Sequence, residues 1–318
     1  MRRTNLTLRE FNALFPDEDA ARTWFERARW PDGPTCYHCG VVNEARRIES
    51  RGIWRCRACG RQFSVTAGTP MHKTHLPLLT WAQAIYLIVS SSKGISSMKL
   101  SEMLGLPYST AWHLSHRIRA MMAEDSPLLA GVVEIDETYG DAPPRKRAKS
   151  RRDDDGPPPS DPTGRGTKRP LLLVAAERDG DVFTSIIPTH GRKAISEALQ
   201  GVLDASAVVM TDGLPAYKHL RKDRAHLAVN HSQRKYARTD EATGRRVHVN
   251  RVESFNGFLG RAVVGVFHFV SPKHLGRYAG EAAFCWNRKK SSCLDRMVSL
   301  IRNGEGRMLP CDFLTAAA

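Results

Sequence analysis

The stretch VVEIDETYG, residues 132–140, places an aspartate and two glutamates at the end of a short apolar run. A run of this length is typical of a buried strand, and it predicts Asp136 at the end of that strand. Strand alternation puts Glu134 on the same face as Asp136 and Glu137 on the opposite face. The run is either a strand that carries a carboxylate out of a core or a strand followed by a solvated turn.

The elements predicted downstream favour the first interpretation. Residues 141–169 are rich in Arg, Lys, Pro and Asp, which indicates a flexible basic insertion. The patterns after it predict two strands joined by a tight Arg-Asp-Gly turn (170–188), a helix (192–203), a strand (206–213), a short helix (215–220), a strand (224–231) and a helix (251–264). Counted from the first run, this is the element order of an RNase H-like α/β fold.

Three acidic residues fall at points that lie close together in such a fold. Asp136 ends the first strand, Asp212 ends the fourth, and Glu253 lies near the start of the last helix. Converging carboxylates repel one another unless cations compensate them. Two divalent ions held by such acids catalyse phosphoryl transfer, and carboxylate and water ligands suit Mg²⁺ or Mn²⁺. The alternative is strongest for Asp212, because a single Asp-Gly after a strand is usually a turn.

Four cysteines near the N-terminus have the spacing C-x₂-C-x₁₆-C-x₂-C: Cys36, Cys39, Cys56 and Cys59. This spacing predicts a zinc ribbon with one tetrahedral, structural Zn²⁺ and no open position for chemistry. Gly40 and Gly60 each follow a second cysteine, where the metal-binding loop needs a tight turn. Arg55 and Arg57 either touch DNA phosphates or form a plain solvated surface.

Residues 77–122 have a helical pattern. A long apolar-faced helix stops at Gly94, a short helix ends near Gly105, and a third helix starts at Pro107, with Ser109 and Thr110 in its capping region. This outline predicts a helix-turn-helix domain, and the alternative is a generic three-helix packing unit. In the first case the third helix presents five side chains to DNA: Tyr108, Ser109, Thr110, His113 and Arg117.

The composition favours a polyanionic partner. The chain has 318 residues and a net charge of +15, and nucleic acid is the commonest partner of such a chain. It has no apolar run long enough for a membrane span and no signal-peptide pattern at its start. We therefore expect a soluble cytoplasmic protein, associated with the nucleoid and not with a membrane.

The chain resembles the insertion-sequence DDE transposases that have an N-terminal zinc ribbon and an ISXO-type catalytic domain. The stretches that carry the resemblance are WPDGPTCYHCG, WRCRACGRQFSVTAGTPMHKTHLPLLTW, EIDETYG, TDGLPAYKHL, VNRVESFNGFLGR and VSPKHLGRYAGEAAFCWNRKK. The resemblance implies metal-dependent cleavage and strand transfer of double-stranded DNA at the ends of an insertion sequence. It also implies Mg²⁺ or Mn²⁺ as the catalytic metal and a homodimer on DNA.

Carried over position by position, the first two family acids fall on Asp136 and Asp212, and the acid of the third motif falls on Glu253. Some relatives use Asn or His near the third position, so that Asn250 and His248 are alternatives to Glu253.

The last helix departs from the family pattern at two positions. Asn256 stands where Trp is usual, and Gly260 stands where Lys is usual. Arg261 is the nearest basic residue and can serve in place of that lysine.

These predictions divide the chain into an N-terminal helical segment (1–30), the zinc ribbon (31–70), the helix-turn-helix domain (71–125), the RNase H-like catalytic domain (126–303) and a tail (304–318). Two further functions stay open at this point. One is an inactive or domesticated transposase-derived DNA-binding regulator, and the other is an RNase H-like nuclease. Three acids in the core favour an enzyme over the regulator, and only strand joining separates a transposase from the nuclease.

Overall fold

The structure, a computed structural model, describes residues 6–123, 127–140, 170–230 and 235–309. The predicted basic insertion lies outside these residues. The chain divides into two compact units, one formed by Met1–Asp125 with Gly280–Ala318 and the other by Ser126–Ala279. Each unit has a hydrophobic core of its own.

The first unit begins with two short helices, α1 (Leu8–Leu14) and α2 (Glu18–Arg29). Thr7 and Glu10 form a capping box that starts α1, and the Asp17 carboxylate caps α2. These side chains satisfy backbone N–H groups that a helix start leaves unpaired, so local sequence sets both boundaries.

A three-stranded sheet and three helices follow in chain order: β1 (Ala45–Ile48), β2 (Ile53–Cys56), β3 (Gln62–Phe63), α3 (Leu78–Ser90), α4 (Ser97–Leu104) and α5 (Tyr108–Met121). Gly105 ends α4 in the left-handed conformation, and α5 begins directly after Pro107. Helices α4 and α5 thus have the helix-turn-helix outline. The predicted capping role of Ser109 and Thr110 is wrong, because no side chain caps the start of α5.

The first unit is completed by the C-terminal part of the chain, which contains the end of α8 (Leu275–Asn287) and all of α9 (Cys293–Asn303). The structure assigns the chain from Gly280 onward to this compact unit, whereas the predicted catalytic domain continues to residue 303. The physical reason is burial: Phe284 and the α9 residue Met297 lie in the hydrophobic core that α2, α3 and α5 also form.

Ion pairs join distant parts of the first unit. The Arg119 Nε of α5 lies 2.6 Å from a carboxylate oxygen of Glu281, and both side chains are almost fully buried. Arg29 of α2 binds both carboxylate oxygens of Glu305 at 2.7 Å. The segment predicted as a tail (304–318) therefore contains a residue, Glu305, that is bonded to α2.

The second unit has seven main elements: β4 (Val132–Tyr139), β5 (Leu171–Glu177), β6 (Val182–Ile187), α6 (Arg192–Leu199), β7 (Val208–Thr211), β8 (His226–Ala228) and α7 (Asn250–Ala262). The five strands form one mixed sheet in the order β6-β5-β4-β7-β8. Strand β4 runs antiparallel to β5 and parallel to β7, and β7 runs parallel to β8. The predicted α/β element order is confirmed.

Three details differ from the sequence prediction. Helix α6 ends at Leu199 and not at residue 203, and the predicted short helix at 215–220 is a 3₁₀ segment, Pro215–Lys222. A small hairpin of β9 (Arg238–Thr239) and β10 (Arg246–Val247) precedes α7. Two-residue strands are too short for an alternation pattern to indicate them.

The register of β4 places Asp136 inside the strand and not at its end. Parallel pairing with β7 stops at Ile135 opposite Thr211, whereas antiparallel pairing with β5 continues to Tyr139 opposite Leu171. Asp136 is therefore the first residue of β4 beyond the parallel ladder. The apolar run ends there because one neighbouring strand ends there.

Replacing Gly260 with alanine should stabilise α7. Gly260 is an exposed helical residue, and a Cβ atom built on it meets no atom within 4 Å. Alanine is better than glycine in a helix by about 0.5–1 kcal/mol, because glycine loses more backbone entropy on folding. Urea unfolding should give an increase of this size in the free energy of unfolding.

Gly201→Ala is the matched control for this substitution. The space around Gly201 is equally open, but its φ is +72°, a conformation that costs an alanine side chain free energy. The two variants should shift stability in opposite directions. A destabilised Gly260→Ala protein would contradict the prediction.

Candidate active site

Asp136, in β4, and Asp212, the residue directly after β7, lie at the same level of the sheet. Each directly follows the last residue pair of the parallel ladder between β4 and β7, Ile135 with Thr211. Adjacent strands lie about 4.8 Å apart, so this register brings the two aspartates side by side. Both residues are half-buried. They lie at the carboxyl end of the parallel ladder between β4 and β7, which is where open α/β sheets usually carry a polar site.

Asp212 also stabilises a turn after β7, as the alternative interpretation of its Asp-Gly sequence predicted. Its Oδ1 accepts a hydrogen bond from the Leu214 backbone N–H at 2.9 Å. This contact stabilises the turn after β7 and fixes the orientation of the carboxylate.

Helix α7 lies beside Asp136. The Asn256 side chain donates a hydrogen bond from Nδ2 to the Asp136 Oδ2 at 3.1 Å. Glu253 precedes Asn256 by three residues, so the two side chains leave the helix on similar sides. Glu253 is exposed. Asn256 therefore contacts the aspartate of β4, and Glu253 lies about one turn earlier on the same helix.

The three predicted acids are not gathered at metal-ligand distance. Among the residues that the structure describes, the four ribbon cysteines form the only group of three or more His, Cys, Asp or Glu side chains whose ligand atoms lie within 4.8 Å of one another. Asp136, Asp212 and Glu253 do not meet this distance as a set. Two of the three are neighbours, and the third lies on the adjoining helix.

Glu134 is bonded to α7 from the same face of β4 as Asp136, as alternation predicted. Its side chain is fully buried, and its Oε2 accepts the Arg251 and Val252 backbone N–H groups at 2.6 and 3.3 Å. Its Oε1 accepts from Arg178 Nε at 2.8 Å and lies 3.2 Å from His248 Nδ1. The sequence indicated its face but not these partners.

Arg178 connects the β5–β6 turn to the chain that enters α7. Besides Glu134, its guanidinium donates to the backbone oxygens of Arg246 and His248 at 3.1 and 3.3 Å. Arg251 of α7 donates to the Gly180 oxygen of the same turn at 3.2 Å. The start of α7 is thus held by two arginines and one buried carboxylate.

The alternative site residues have separate positions: His248 lies just before α7, Asn250 at its start and Arg261 in its last turn. Asn250 is the exposed first residue of the helix, and its N–H lies 3.4 Å from His248 Nδ1. Burial lowers the pKa of His248, and the nearby Arg178 charge adds to this effect. Arg261 is exposed in the last helical turn.

Glu137 is a fourth acid at this edge of the sheet. It lies close to Tyr217, a fully buried residue of the second unit's core. Burial raises the pKa of Glu137 to about 7; the Tyr217 hydroxyl opposes this shift, and the Asp136 and Asp212 charges add to it. Strand alternation predicted its face, but only the fold shows that this half-buried glutamate lies near both aspartates.

The ribbon cysteines form the second candidate site. The Sγ atoms of Cys36 and Cys59 are 3.7 Å apart, and those of Cys39 and Cys56 are 3.6 Å apart. Tetrahedral Zn²⁺ with Zn–S bonds of about 2.3 Å requires sulfur separations of about 3.8 Å. Gly40 and Gly60, the residues after the second cysteines, have φ of 74° and 71°, the tight turns that the sequence predicted. The donor set fits a structural Zn²⁺.

The predicted DNA-facing residues lie on the first unit. Tyr108 and Ser109 are exposed at the start of α5, whereas Thr110, His113 and Arg117 are half-buried. Burial lowers the pKa of His113, with a further contribution from Arg117. In the ribbon, Arg55 and Arg57 are both exposed, and Arg55 Nε also donates to the Gly60 oxygen.

Comparison with known proteins identifies both regions. An ISXO2-like transposase domain matches residues 128–287, which is half of the chain, and a transposase zinc-ribbon domain matches residues 16–62. The chain belongs to the ISXO2-like transposase family. The resemblance to a zinc-ribbon transposase is confirmed, and so is the prediction of structural zinc for the four-cysteine cluster.

Two individual proteins resemble this transposase. An uncharacterized protein in transposable element ISH50 of Halobacterium salinarum is 29% identical over 262 residues, which are 76% of this chain and 81% of that protein. A chain in the crystal structure of a pre-cleavage Mos1 transpososome is 10% identical, with a TM-score of 0.20 over 63% of this chain and 78% of the other. The second likeness is too weak to support an argument.

The transposase family supports a polynucleotidyl-transferase enzyme. None of the helices in the described part of the chain is long and apolar enough to span a bilayer.

Proposed function

We propose that this transposase cleaves DNA strands at the ends of its insertion sequence and joins the freed 3′-hydroxyl to target DNA in the same site. The proposal assigns the chemistry to Asp136, Asp212 and Glu253. The single observation that supports it most is the register of β4 and β7, which brings two aspartates together at one edge of the sheet. Two neighbouring carboxylates repel each other, and this repulsion destabilises the folded state unless a bound cation compensates their charge.

The donor set suits Mg²⁺ or Mn²⁺, because these ions prefer carboxylate oxygens and water. In a two-metal site such ions stabilise the attacking and leaving oxygens of phosphoryl transfer. Asp136 and Asp212 would hold them, with Glu253 as the third acid. Asn250 and His248 are the alternatives for the third position, since both lie within five residues of Glu253 and next to the start of α7.

Neighbouring residues orient the two aspartates. Asn256 donates to Asp136, and the Leu214 N–H donates to Asp212, so each carboxylate keeps one oxygen in a fixed direction. Arg261 in the last turn of α7 is the nearest basic residue that can approach a phosphate in place of the usual lysine. No serine or tyrosine nucleophile is assigned, because hydrolysis by water and attack by a DNA 3′-hydroxyl require none.

We assign DNA binding to the helix-turn-helix and to the ribbon. The exposed start of α5, with Tyr108 and Ser109, would contact base edges, and Arg55 and Arg57 would contact phosphates. The net charge of +15 supports a polyanionic partner. Joining two DNA ends requires two active sites, so we expect a homodimer on DNA, acting at the nucleoid.

A cleavage and strand-transfer assay tests this function. Purified protein is mixed with labelled duplex DNA that carries the element ends, in Mg²⁺, Mn²⁺ or EDTA. We expect joined products with either metal and none in EDTA. Tight end binding without cutting under any metal would instead indicate a DNA-binding regulator. Cutting without joining would indicate an RNase H-like nuclease.

A further inference from the structure

Glu134 is a buried carboxylate that the proposed chemistry does not use. It lies two residues before Asp136 on β4, and its side chain is 0% exposed. Removing an isolated charge from water is costly, so a buried carboxylate is retained only where it is fully paired. Its partners therefore indicate its purpose.

Three of those partners, Arg251, Val252 and His248, belong to the start of α7 and to the chain that enters it, and the fourth, Arg178, belongs to the β5–β6 turn. The Arg251 and Val252 N–H groups belong to the first turn of the helix and have no acceptor within the helix itself. The helix dipole places positive charge at this end, which a carboxylate complements. The other carboxylate oxygen of Glu134, Oε1, accepts a hydrogen bond from Arg178 and lies beside His248. One side chain of β4 thus fixes the end of α7 that carries Glu253.

We propose that Glu134 is a positioning residue that sets where Glu253 and Asn256 lie relative to Asp136. The inference rests on the proposed function of Asp136 and Glu253. Glu253 is only two residues after Arg251, and Asn256 donates a hydrogen bond to Asp136 at 3.1 Å. A shift of the first turn of α7 would move both groups relative to the aspartate. The acids of β4 then have separate tasks: Asp136 acts in the site, and Glu134 holds the adjoining helix.

A glutamine cannot replace this carboxylate, although it has the same size. Oε2 faces two backbone N–H groups, and Oε1 faces the Arg178 Nε–H. Either orientation of a glutamine amide turns its NH₂ group toward one of these donors. In Glu134→Gln the NH₂ group of the glutamine therefore faces either the backbone N–H groups of α7 or the Arg178 Nε–H. Because two donors cannot bond each other, the start of α7 must move.

The test compares Glu134→Gln with Glu281→Gln in full-length, zinc-loaded protein. Glu281 is the matched control, because it is also a buried glutamate bonded to an arginine Nε, at 2.6 Å from Arg119. It belongs to the first unit, whereas Glu134 belongs to the second. Both variants should lower the melting temperature. Only Glu134→Gln should change how the protein uses divalent metal.

Two readouts detect that change. One is the Mg²⁺ concentration for half-maximal single-turnover cleavage at saturating DNA, and the other is Mn²⁺ binding without DNA, followed by electron paramagnetic resonance. Loss of a residue that orients metal ligands typically weakens metal binding by about 10–100-fold, and we expect a shift of this size in both readouts. Glu281→Gln should keep the wild-type values.

Asp136→Asn, measured in parallel, separates this proposal from the proposed function. If Asp136→Asn still cleaves DNA, the assignment of the site fails. If Asp136→Asn is inactive and Glu134→Gln keeps wild-type metal values in both readouts, Glu134 is only structural and the positioning proposal is overturned. Should Glu134→Gln not fold, Arg178→Lys replaces it, since this change weakens the hold on Glu134 but leaves the carboxylate. Unchanged metal values in folded Arg178→Lys would then overturn the proposal.

Discussion

Asp136→Asn and Asp212→Asn should each abolish strand cleavage and leave DNA binding unchanged. Asparagine keeps the size of aspartate and one carbonyl oxygen. That oxygen can still accept the hydrogen bond from Asn256 or from the Leu214 N–H. The variants therefore remove negative charge from the sheet edge without removing the contacts that shape it. Because the proposed phosphoryl transfer depends on that charge, we expect a rate loss of about 10³-fold or more, or about 4 kcal/mol in activation free energy.

The measurement is single-turnover cleavage of labelled element-end DNA, with binding followed by gel shift at several salt concentrations. Asp223→Asn is the control, because Asp223 is an exposed aspartate just after the 3₁₀ segment of the same unit. It should cleave at the wild-type rate. Metal-dependent cleavage in either active-site variant at more than a small fraction of that rate would refute the assignment.

Removing zinc should unfold the ribbon and destabilise the first unit. Cys36 and Cys56 are buried in the same hydrophobic core as Trp81 of α3, so the metal site and the helices share one core. Zinc binding to small cysteine sites supplies on the order of 10 kcal/mol of folding free energy. Without the ion the four thiolates repel or must protonate, and the short strands β1–β3 have little else to hold them.

Hydrogen exchange with and without a strong zinc chelator measures this effect. Amide protection across residues 36–63 should be lost, the melting temperature should fall, and DNA binding should fall with it. Cys56→Ser should reproduce the loss. Cys293→Ser is the control, because Cys293 is a buried cysteine outside the four-cysteine cluster. It should keep one equivalent of zinc. Full protection of the ribbon in the chelated protein would contradict the prediction.

The parts of the fold that the sequence predicts are those with local signals. The spacing of Cys36, Cys39, Cys56 and Cys59 predicts that all four bind one tetrahedral ion. The structure brings their four sulfur atoms together. The alternation around VVEIDETYG assigned Glu134 and Asp136 to one face, and both contact α7. The order of the predicted elements likewise indicated the α/β core. Gly105 indicated the end of α4.

The remainder depends on contacts between residues far apart in the chain. The partners of Glu134 lie 44 and 117 residues away, at Arg178 and Arg251. No local pattern identifies such partners, because a glutamate in a strand has the same sequence signature whether it is solvated or paired. The packing of α9 in the core of the first unit also has no local signal, because a helical pattern does not specify which core buries the helix. The distances among Asp136, Asp212 and Glu253 depend on the position of α7 relative to the sheet. The local sequence does not indicate that position.

The first unit is built from both ends of the chain, with the second unit inserted between them. During synthesis the ribbon and the helices α1–α5 leave the ribosome long before Phe284, Met297 and Glu281, so their core stays incomplete and Arg119 lacks its buried counter-ion until translation is nearly finished. Contacts of such long sequence separation also slow folding, because loop closure must precede them. A nascent or truncated chain that stops after Ala279 contains all of the second unit but lacks the part of the first unit that begins at Gly280. Only a chain that includes α9 can therefore complete the core shared by the ribbon and the helices α2, α3 and α5.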